Sequence, residues 1–173
     1  MTVTADNYRE HPMFEHVHQS NLIEGYDKPE ADIQLLMAWD EIVAADDPFT
    51  HGWVVRLQKW IVNHQTDLSP HWRGYYRDLS KQRVWVGDRE GMAPGLIKSA
   101  MDEWLDDVNH WLKKGGCSEA IIRNLHVRFE HIHPFVDGNG RTGRVLMWLM
   151  EVKGGLEPTL ITYAERGKYY AWF

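Results

Sequence analysis

The chain has 173 residues, a length that corresponds to one globular domain. Its 25 acidic side chains outnumber 19 lysines and arginines, and the net charge of −6 argues against general binding to nucleic acid or an anionic membrane. The single cysteine, Cys117, excludes an internal disulfide and a cysteine-based zinc site. With neither a signal peptide nor an apolar run long enough to span a bilayer, a soluble, cytoplasmic protein is expected.

Helix signals dominate the sequence. Amphipathic spacing, prolines at helix starts and glycines at helix ends predict seven helices. In chain order they are expected over residues 12–24, 29–43, 50–65, 94–114 and 118–132, then from 139 or 140, and from about 162. The stretch from Gln82 to Gly87 combines β-branched and aromatic residues and predicts one arm of a short hairpin. The expected fold class is mainly α, with one small β element.

The segment from His126 to Arg144, HVRFEHIHPFVDGNGRTGR, carries most of the chain's chemistry. One interpretation is a plain connection between helices, in which Pro134 ends the first helix and Gly138 and Gly140 form the turn. This interpretation leaves two arginines unexplained, because both lie in the first turns of the next helix, where the helix dipole disfavours cations. An anion bound between them would explain their position.

Two further interpretations are a nucleotide P-loop and a transition-metal site. The loop has the glycine spacing of a P-loop, but Arg144 replaces the lysine and Val145 replaces the Ser or Thr that holds Mg²⁺. His126, His131 and His133 are five and two residues apart, so they do not share one helical face. Both interpretations therefore explain the segment less well than an anion site of another design.

Such an anion site uses both the backbone and the two arginines. The N–H groups of Gly138, Asn139 and Gly140 open a helix and can form a nest for phosphate. The guanidinium groups of Arg141 and Arg144 supply forked donors for a polyphosphate. The spacing therefore predicts a phosphate-binding loop.

Two side chains beside this loop have the chemistry that catalysis needs. Asp137 offers oxygen ligands beside the phosphates, where Mg²⁺ is usually bound, and His133 can take a proton from a hydroxyl. Phe135 is expected to anchor the loop in the core. Apart from these roles, the alternating charges of Arg128, Glu130 and Asp137 are expected on a solvated surface.

Residues 133–144, HPFVDGNGRTGR, match every fixed position of the signature HPFx[DE]GNGRxxR, and on them the chain resembles the Fic-domain family. The predicted helices and the upstream hairpin extend the resemblance from about residue 12 to the end. It implies a Fic-type helical bundle, a single domain over 1–173, with its active-site loop at 133–144.

The resemblance implies a protein adenylyltransferase, which moves AMP from ATP to a Ser, Thr or Tyr hydroxyl of a target protein. His133 would deprotonate the hydroxyl, whose oxygen then attacks the α-phosphate in line while pyrophosphate leaves. Asp137 would hold Mg²⁺ between the α- and β-phosphates. Such transfer depends mainly on positioning and charge neutralisation, which agrees with these residue types.

The remaining loop residues would bind the phosphates of ATP by the same resemblance. Gly138, Asn139 and Gly140 would form the anion hole, with the Asn139 side chain on phosphate. Arg141 would bind the β-phosphate region, and Arg144 would bind the γ-phosphate.

The hairpin over about 79–92 resembles the family's flap, which pairs with an extended target segment by strand addition. An ordinary surface hairpin is the alternative. The residues expected to dock the target are Arg83, Val84, Trp85, Val86 and Gly87.

A second signature lies upstream, where Ser20 to Gly25 has the sequence SNLIEG and resembles the family's inhibitory motif [ST]xxxE[GN]. The inhibitory helix would span about 12–25 and act through Ser20 and Glu24. Glu24 would pair with Arg144, so that the γ-phosphate loses its partner and ATP binds in a non-productive pose. The alternative, a plain helix end capped by Gly25, is compatible with this role.

Other functions fit the same site. The fold could act as a de-AMPylase or transfer another nucleotide, or it could be a non-catalytic ATP-binding regulatory module. An intact His133 disfavours the last, because a nucleotide sensor needs no base. The expected partners are ATP and a target protein with an exposed hydroxyl, with a homo-oligomer as a further expectation; neither nucleic acid nor membrane is expected.

Overall fold

The computed structural model of the protein describes residues 2–44, 49–79, 83–86, 89–115 and 117–173. Within these ranges the fold is mainly α with one small hairpin, as predicted. The α-helices are α1 Phe14–Ile23, α2 Pro29–Val43, α3 His51–Ile61, α4 Pro94–Lys113, α5 Glu119–Ile132, α6 Asn139–Lys153 and α7 Arg166–Tyr170. Short 3₁₀ helices are Tyr8–Glu10, Pro70–Trp72, Arg77–Leu79 and Tyr163–Glu165, and the strands are β1 Trp85–Val86 and β2 Arg89–Glu90.

Helix α6 is the central element of the bundle. It contacts α1, α2, α3, α4 and α5, and its residues 141–151 are all buried. The run Val145–Met150 explains this position, because a helix that is apolar on all sides belongs in the core. Neither α6 nor another helix in the described ranges combines the length and hydrophobicity needed to cross a membrane. The first turn of α6 joins this buried helix to the predicted phosphate-binding loop.

Two predicted helices have other bounds in the structure. The prediction over 50–65 is wrong at its C-terminal end, since α3 ends at Ile61. The chain turns there, and this brings the side chain of Gln65 to the carboxylate of Asp137, with Nε2 and Oδ2 2.6 Å apart. The helix predicted from about 162 begins as a 3₁₀ turn, and the Thr162 hydroxyl bonds the Glu165 side chain instead of capping the backbone.

The predicted hairpin is present as two antiparallel two-residue strands. Trp85 faces Glu90 and Val86 faces Arg89 across the ladder. The side chain of Trp85 is exposed. Gln82 and Gly87, which the sequence analysis included in this arm, lie outside the described residues.

Phe135 anchors the loop in the core, as the sequence predicted. Its side chain is fully buried, and its ring lies 5.3 Å from the ring of Tyr76. The side chain of Asn139 accepts a hydrogen bond from the Phe135 N–H and donates one to its carbonyl, both at 2.9 Å. These contacts fix the loop to α6 on one side and to the segment before the hairpin on the other.

Replacing Phe135 with alanine should lower the free energy of unfolding by about 3–5 kcal/mol, because the loop loses its buried anchor and a cavity remains. Urea denaturation measures this change. Tyr75→Ala is the matched control: Tyr75 is 63% exposed, so its loss should change stability by about 0.5 kcal/mol or less. Equal effects for the two variants would contradict an anchoring role.

Candidate active site

A cavity of about 650 Å³ opens where α1, α5, α6, the hairpin and the C-terminal segment meet. This volume is within the usual range for small-molecule sites. The sequence-predicted site residues that line it are Glu24, Trp85, Val86, His133, Asp137, Gly138, Asn139, Gly140 and Arg144. Ser20 and Arg141 are buried beside it, while Arg83 and Val84 belong to the hairpin without lining the cavity.

The N-terminus of α6 has no side-chain cap. Gly138 is its N-cap residue in the left-handed conformation, at φ 80°. A Cβ at this position would approach Val62 Cγ1 to 2.6 Å, so both the conformation and the space require glycine. The first N–H groups of a helix need partners, and an uncapped start attracts an anion.

Arg144 is a buried charge with four protein acceptors at the site. Its side chain is fully buried, and its Nη2 donates to Glu24 Oε1 at 2.8 Å and to the Ser20 carbonyl at 3.0 Å. Its Nε donates to Ser20 Oγ at 2.8 Å, and its Nη1 donates to Tyr169 Oη at 3.3 Å. The guanidinium is thus held by α1 and the C-terminal segment together.

The carboxylate of Glu24 lies between Arg144 and the start of α6. A Cβ on Gly140 would overlap Glu24 Oε1, which shows how closely the carboxylate approaches the first turn of the helix. Glu24 is the C-cap residue of α1, and Gly25 follows in the left-handed conformation at φ 80°. Glu24 and Gly25 therefore end helix α1 and, at the same time, place a carboxylate beside the start of α6.

Arg141 does not line the cavity. Its guanidinium is fully buried, and the aromatic ring of Tyr26 covers it, with Cζ 4.1 Å from the ring centroid. Among the described residues no protein group bonds its three nitrogens, and the nearest carboxylate oxygen, Asp137 Oδ1, lies 3.9 Å from Nη2.

His133 is the C-cap of α5 and turns the chain from that helix into the loop. Its backbone is left-handed, at φ 49°, and Nδ1 lies 3.2 Å from the Glu130 carbonyl. Because a carbonyl only accepts, Nδ1 carries the proton and Nε2 is left as the acceptor. Burial lowers the pKa of His133 to about 4, so the imidazole is neutral at pH 7.

Glu130 is buried, and the prediction of a solvated surface is wrong for it. Burial raises the pKa of its carboxyl to about 8. A Cβ on Gly143 would overlap Glu130 Oε1, so this glycine lets α5 and α6 approach closely. The prediction failed because an alternation of charges along a helix does not show which side of that helix packs against a neighbouring helix.

His126 makes two hydrogen bonds inside the core. Its Nδ1 lies 3.1 Å from the Gly143 carbonyl and its Nε2 3.0 Å from the Tyr169 hydroxyl. Both ring nitrogens are therefore engaged with protein groups. His131, by contrast, lines the cavity.

Sequence reasoning missed four residues that shape the site: Tyr26, Gln65, Arg77 and Tyr169. Gln65 bonds both the Tyr26 hydroxyl and the Asp137 carboxylate, while Tyr169 holds Arg144. Arg77 donates to the carbonyls of the loop around His133. None belongs to the loop signature, but Tyr26 follows the SNLIEG motif closely and could have been inspected on that ground.

The sequence model of the Fic/DOC family matches residues 48–150. The chain belongs to the Fic/DOC family. The matched range contains the whole loop signature and the hairpin, whereas α1 with Glu24 lies before it.

Relatives of this Fic chain include the protein adenylyltransferase Fic of Drosophila virilis, 32% identical over 121 residues, and that of Drosophila melanogaster, 32% identical over 120 residues. Each alignment covers 68% of this chain and 23% of the relative. The chain thus spans less than a quarter of the length of these relatives.

Solved Fic structures share the fold. A Fic-domain-containing signalling protein from Bacteroides thetaiotaomicron matches with a TM-score of 0.77 and 20% identity, over 96% of this chain and 72% of that chain. Fic-1 from Caenorhabditis elegans, in a fragment of residues 134–508, matches with a TM-score of 0.61 and 19% identity, over 96% and 59%.

Gly140→Ala should destabilise the chain more strongly while Glu24 is present, because the new Cβ would displace the Glu24 carboxylate. In a Glu24→Gly background the loss should shrink or reverse, since alanine favours a helix over glycine by about 1 kcal/mol. A double-mutant cycle measured by urea denaturation should give a coupling energy of about 0.5–3 kcal/mol. Identical effects of Gly140→Ala in both backgrounds would contradict the close approach.

Proposed function

We propose that the chain is a protein adenylyltransferase, which moves AMP from ATP to a Ser, Thr or Tyr hydroxyl of a target protein and is inhibited by its own Glu24. The observation that carries the proposal is the meeting, in one cavity, of a neutral histidine acceptor with an anion site built from Arg144 and the start of α6. Relatives named protein adenylyltransferase support the same chemistry.

The anion site fits the polyphosphate of ATP. The uncapped start of α6 offers N–H groups from Asn139 and Gly140 at its positive end. Arg144 adds a fixed guanidinium fork one turn further along the helix, where Glu24 now supplies the negative charge. The aromatic side chains of Tyr170 and Phe173 line the same cavity, and aromatic rings are suited to stacking on a nucleobase.

The Asn139 side chain has a different role in this proposal from the one that the resemblance implied. Its amide is used at both ends by the backbone of Phe135, at 2.9 Å each. We therefore assign phosphate binding to the Asn139 backbone N–H and loop stability to its side chain.

His133 serves as the base. Its Nε2 takes the proton of the target hydroxyl, and the oxygen then forms a bond to the α-phosphorus of ATP. The bond from that phosphorus to the bridging oxygen of the β-phosphate breaks, and pyrophosphate leaves with the electron pair. The donor Nδ1 stays on the Glu130 carbonyl and holds the ring in the tautomer that this step needs.

Asp137 fits a bound Mg²⁺. Its carboxylate lines the cavity beside the start of α6, and its side chain is 41% exposed. Its oxygens accept hydrogen bonds from the Gly138 N–H and from Gln65 Nε2, at 2.5 and 2.6 Å, which fixes the carboxylate and leaves lone pairs for a cation. When bound, the ion would neutralise phosphate charge.

Inhibition follows from what occupies the anion site. Glu24 already supplies the negative charge that Arg144 requires, so a γ-phosphate would have to displace it. Two residues further on, the ring of Tyr26 covers the other phosphate-binding arginine, Arg141. The end of α1 therefore keeps both arginines from ATP until it moves.

The remaining expectations belong to the same proposal. The exposed Trp85 beside the cavity favours the hairpin as a docking site for an extended target segment, by strand addition. Cys117 is a buried thiol, which suits a reducing compartment and supports a cytoplasmic location. Transfer in reverse, or of another nucleotide, remains the alternative for the same residues.

The test is label transfer from α-labelled ATP to protein in a cell lysate. Glu24→Gly should raise transfer by roughly tenfold or more, because a charged hydrogen bond that favours the inhibited state is worth about 1.5–3 kcal/mol. His133→Ala in the Glu24→Gly background should abolish it. Parallel labelled GTP and UTP identify the nucleotide, and no transfer from any of the three by Glu24→Gly would overturn the proposal.

The pH dependence of the same reaction tests the base. Because burial lowers the pKa of His133 to about 4, its protonation should not reduce kcat/KM between pH 8 and 6. The acid limb in the Glu24→Gly variant should lie well below pH 6.5, and removing the Glu24 carboxylate lowers the pKa further. An acid limb near pH 6.5 that follows the histidine would contradict the buried, neutral base.

A further inference from the structure

The backbone of His133 is held in an unfavourable conformation. Among the described residues it is the only non-glycine residue with positive φ, at φ 49° and ψ 61°. A left-handed conformation strains any residue that carries a Cβ, so it persists only where the surroundings impose it. The loop must therefore contain contacts that keep this residue in place.

Arg77 supplies contacts of this kind. Its backbone N–H donates to the Pro134 carbonyl at 2.9 Å, and its Nε donates to the His133 carbonyl at 2.8 Å. Its Nη2 lies 3.3 Å from the Ile132 carbonyl. One arginine thus binds three successive carbonyls at the point where α5 ends and the loop begins.

The charge of Arg77 suits this place. Its side chain is 1% exposed, and it lies at the C-terminus of α5, where unpaired carbonyls and the helix dipole favour a cation. The guanidinium fork reaches several carbonyls in fixed directions, which a lysine ammonium cannot reproduce with one nitrogen.

The same guanidinium joins the loop to the hairpin. Its Nη2 also donates to the Met92 carbonyl at 2.7 Å, just after β2. A Cβ on Gly91 would lie 3.1 Å from Arg77 Nη2, 3.3 Å from His133 Cβ and 3.0 Å from Val84 Cγ2. The base of the hairpin, Arg77 and His133 therefore pack directly against one another, and position 91 has no space for a residue larger than glycine.

We propose that Arg77 is a positioning residue for His133. By binding the loop carbonyls, it keeps the imidazole in the cavity and at a fixed position relative to the hairpin. The proposal rests on the role of His133 as the base under the proposed function. Arg77 does not line the cavity, and it acts through the backbone of the loop.

The test compares Arg77→Met and Arg77→Lys in the full chain carrying Glu24→Gly. Arg77→Met should lower kcat for AMP transfer by about tenfold to a hundredfold, as displacement of a catalytic group by about 1 Å does. The Kd for ATP, measured by calorimetry, should change by less than about twofold, since Arg144 and the start of α6 are untouched. Arg77→Lys restores the charge without the fork and should recover only part of kcat.

A matched control is Arg128→Met. Arg128 also lies on α5, but it pairs with Asp107 at the surface, 2.5 Å away, and not with the loop. Its loss should leave kcat within about twofold, because exposed ion pairs contribute little. A kcat within twofold for Arg77→Met, or an equal loss of kcat and ATP affinity, would overturn the proposal.

A second measurement does not depend on transfer. The His133 ring can be titrated by NMR in the inhibited chain, with His133→Asn to assign its signal. In Arg77→Met the pKa of His133 should rise toward 6.5, because the ring loses a nearby cation and becomes more exposed to water. An unchanged His133 titration would overturn the proposal. If Glu24→Gly transfers no nucleotide, the proposed function fails, while the His133 titration in Arg77→Lys, which keeps the cation, still decides whether Arg77 positions His133. Should Arg77→Met not fold, Arg77→Lys decides: a kcat loss above about twofold at unchanged ATP Kd, with a His133 pKa raised by exposure alone, supports the proposal, and wild-type values of both overturn it.

Discussion

The structure depends on one buried charge, the guanidinium of Arg144 in the first turns of the central helix. A cation at the positive end of a helix is unfavourable, and burial deprives it of water. It is stable there because Ser20, Glu24 and Tyr169 surround it with acceptors. The N-terminal helix and the C-terminal segment are therefore both drawn to the active-site loop by the same group.

Under the proposed function, this arrangement ties regulation to stability. The carboxylate of Glu24 that stabilises Arg144 lies where a phosphate of ATP is proposed to bind, so the two would compete for one cation. The ring of Tyr26 covers Arg141, so under the proposed function the end of α1 and the residues that follow it would control two phosphate-binding arginines one turn apart on α6.

The other half of the site is organised around the end of α5. His133 ends that helix in a left-handed conformation, and Arg77 binds the carbonyls on either side of it. The hairpin base is bound by the same guanidinium. Two buried arginines thus hold different parts of the cavity wall. Arg144 binds Glu24 and the C-terminal segment, and Arg77 binds the loop carbonyls at His133 and the base of the hairpin.

The sequence by itself determined the mainly α fold, the hairpin and the loop signature of the family, because helix periodicity, β-branched runs and the glycine–arginine spacing are local properties. It also indicated Phe135 as the anchor. Its local patterns did not find that Glu130 is buried or that α3 stops at Ile61, since these depend on which helix packs against which. Only the tertiary structure brought Arg77, Tyr26 and Tyr169 to the loop, because contacts between residues distant along the chain leave no periodic signal in it.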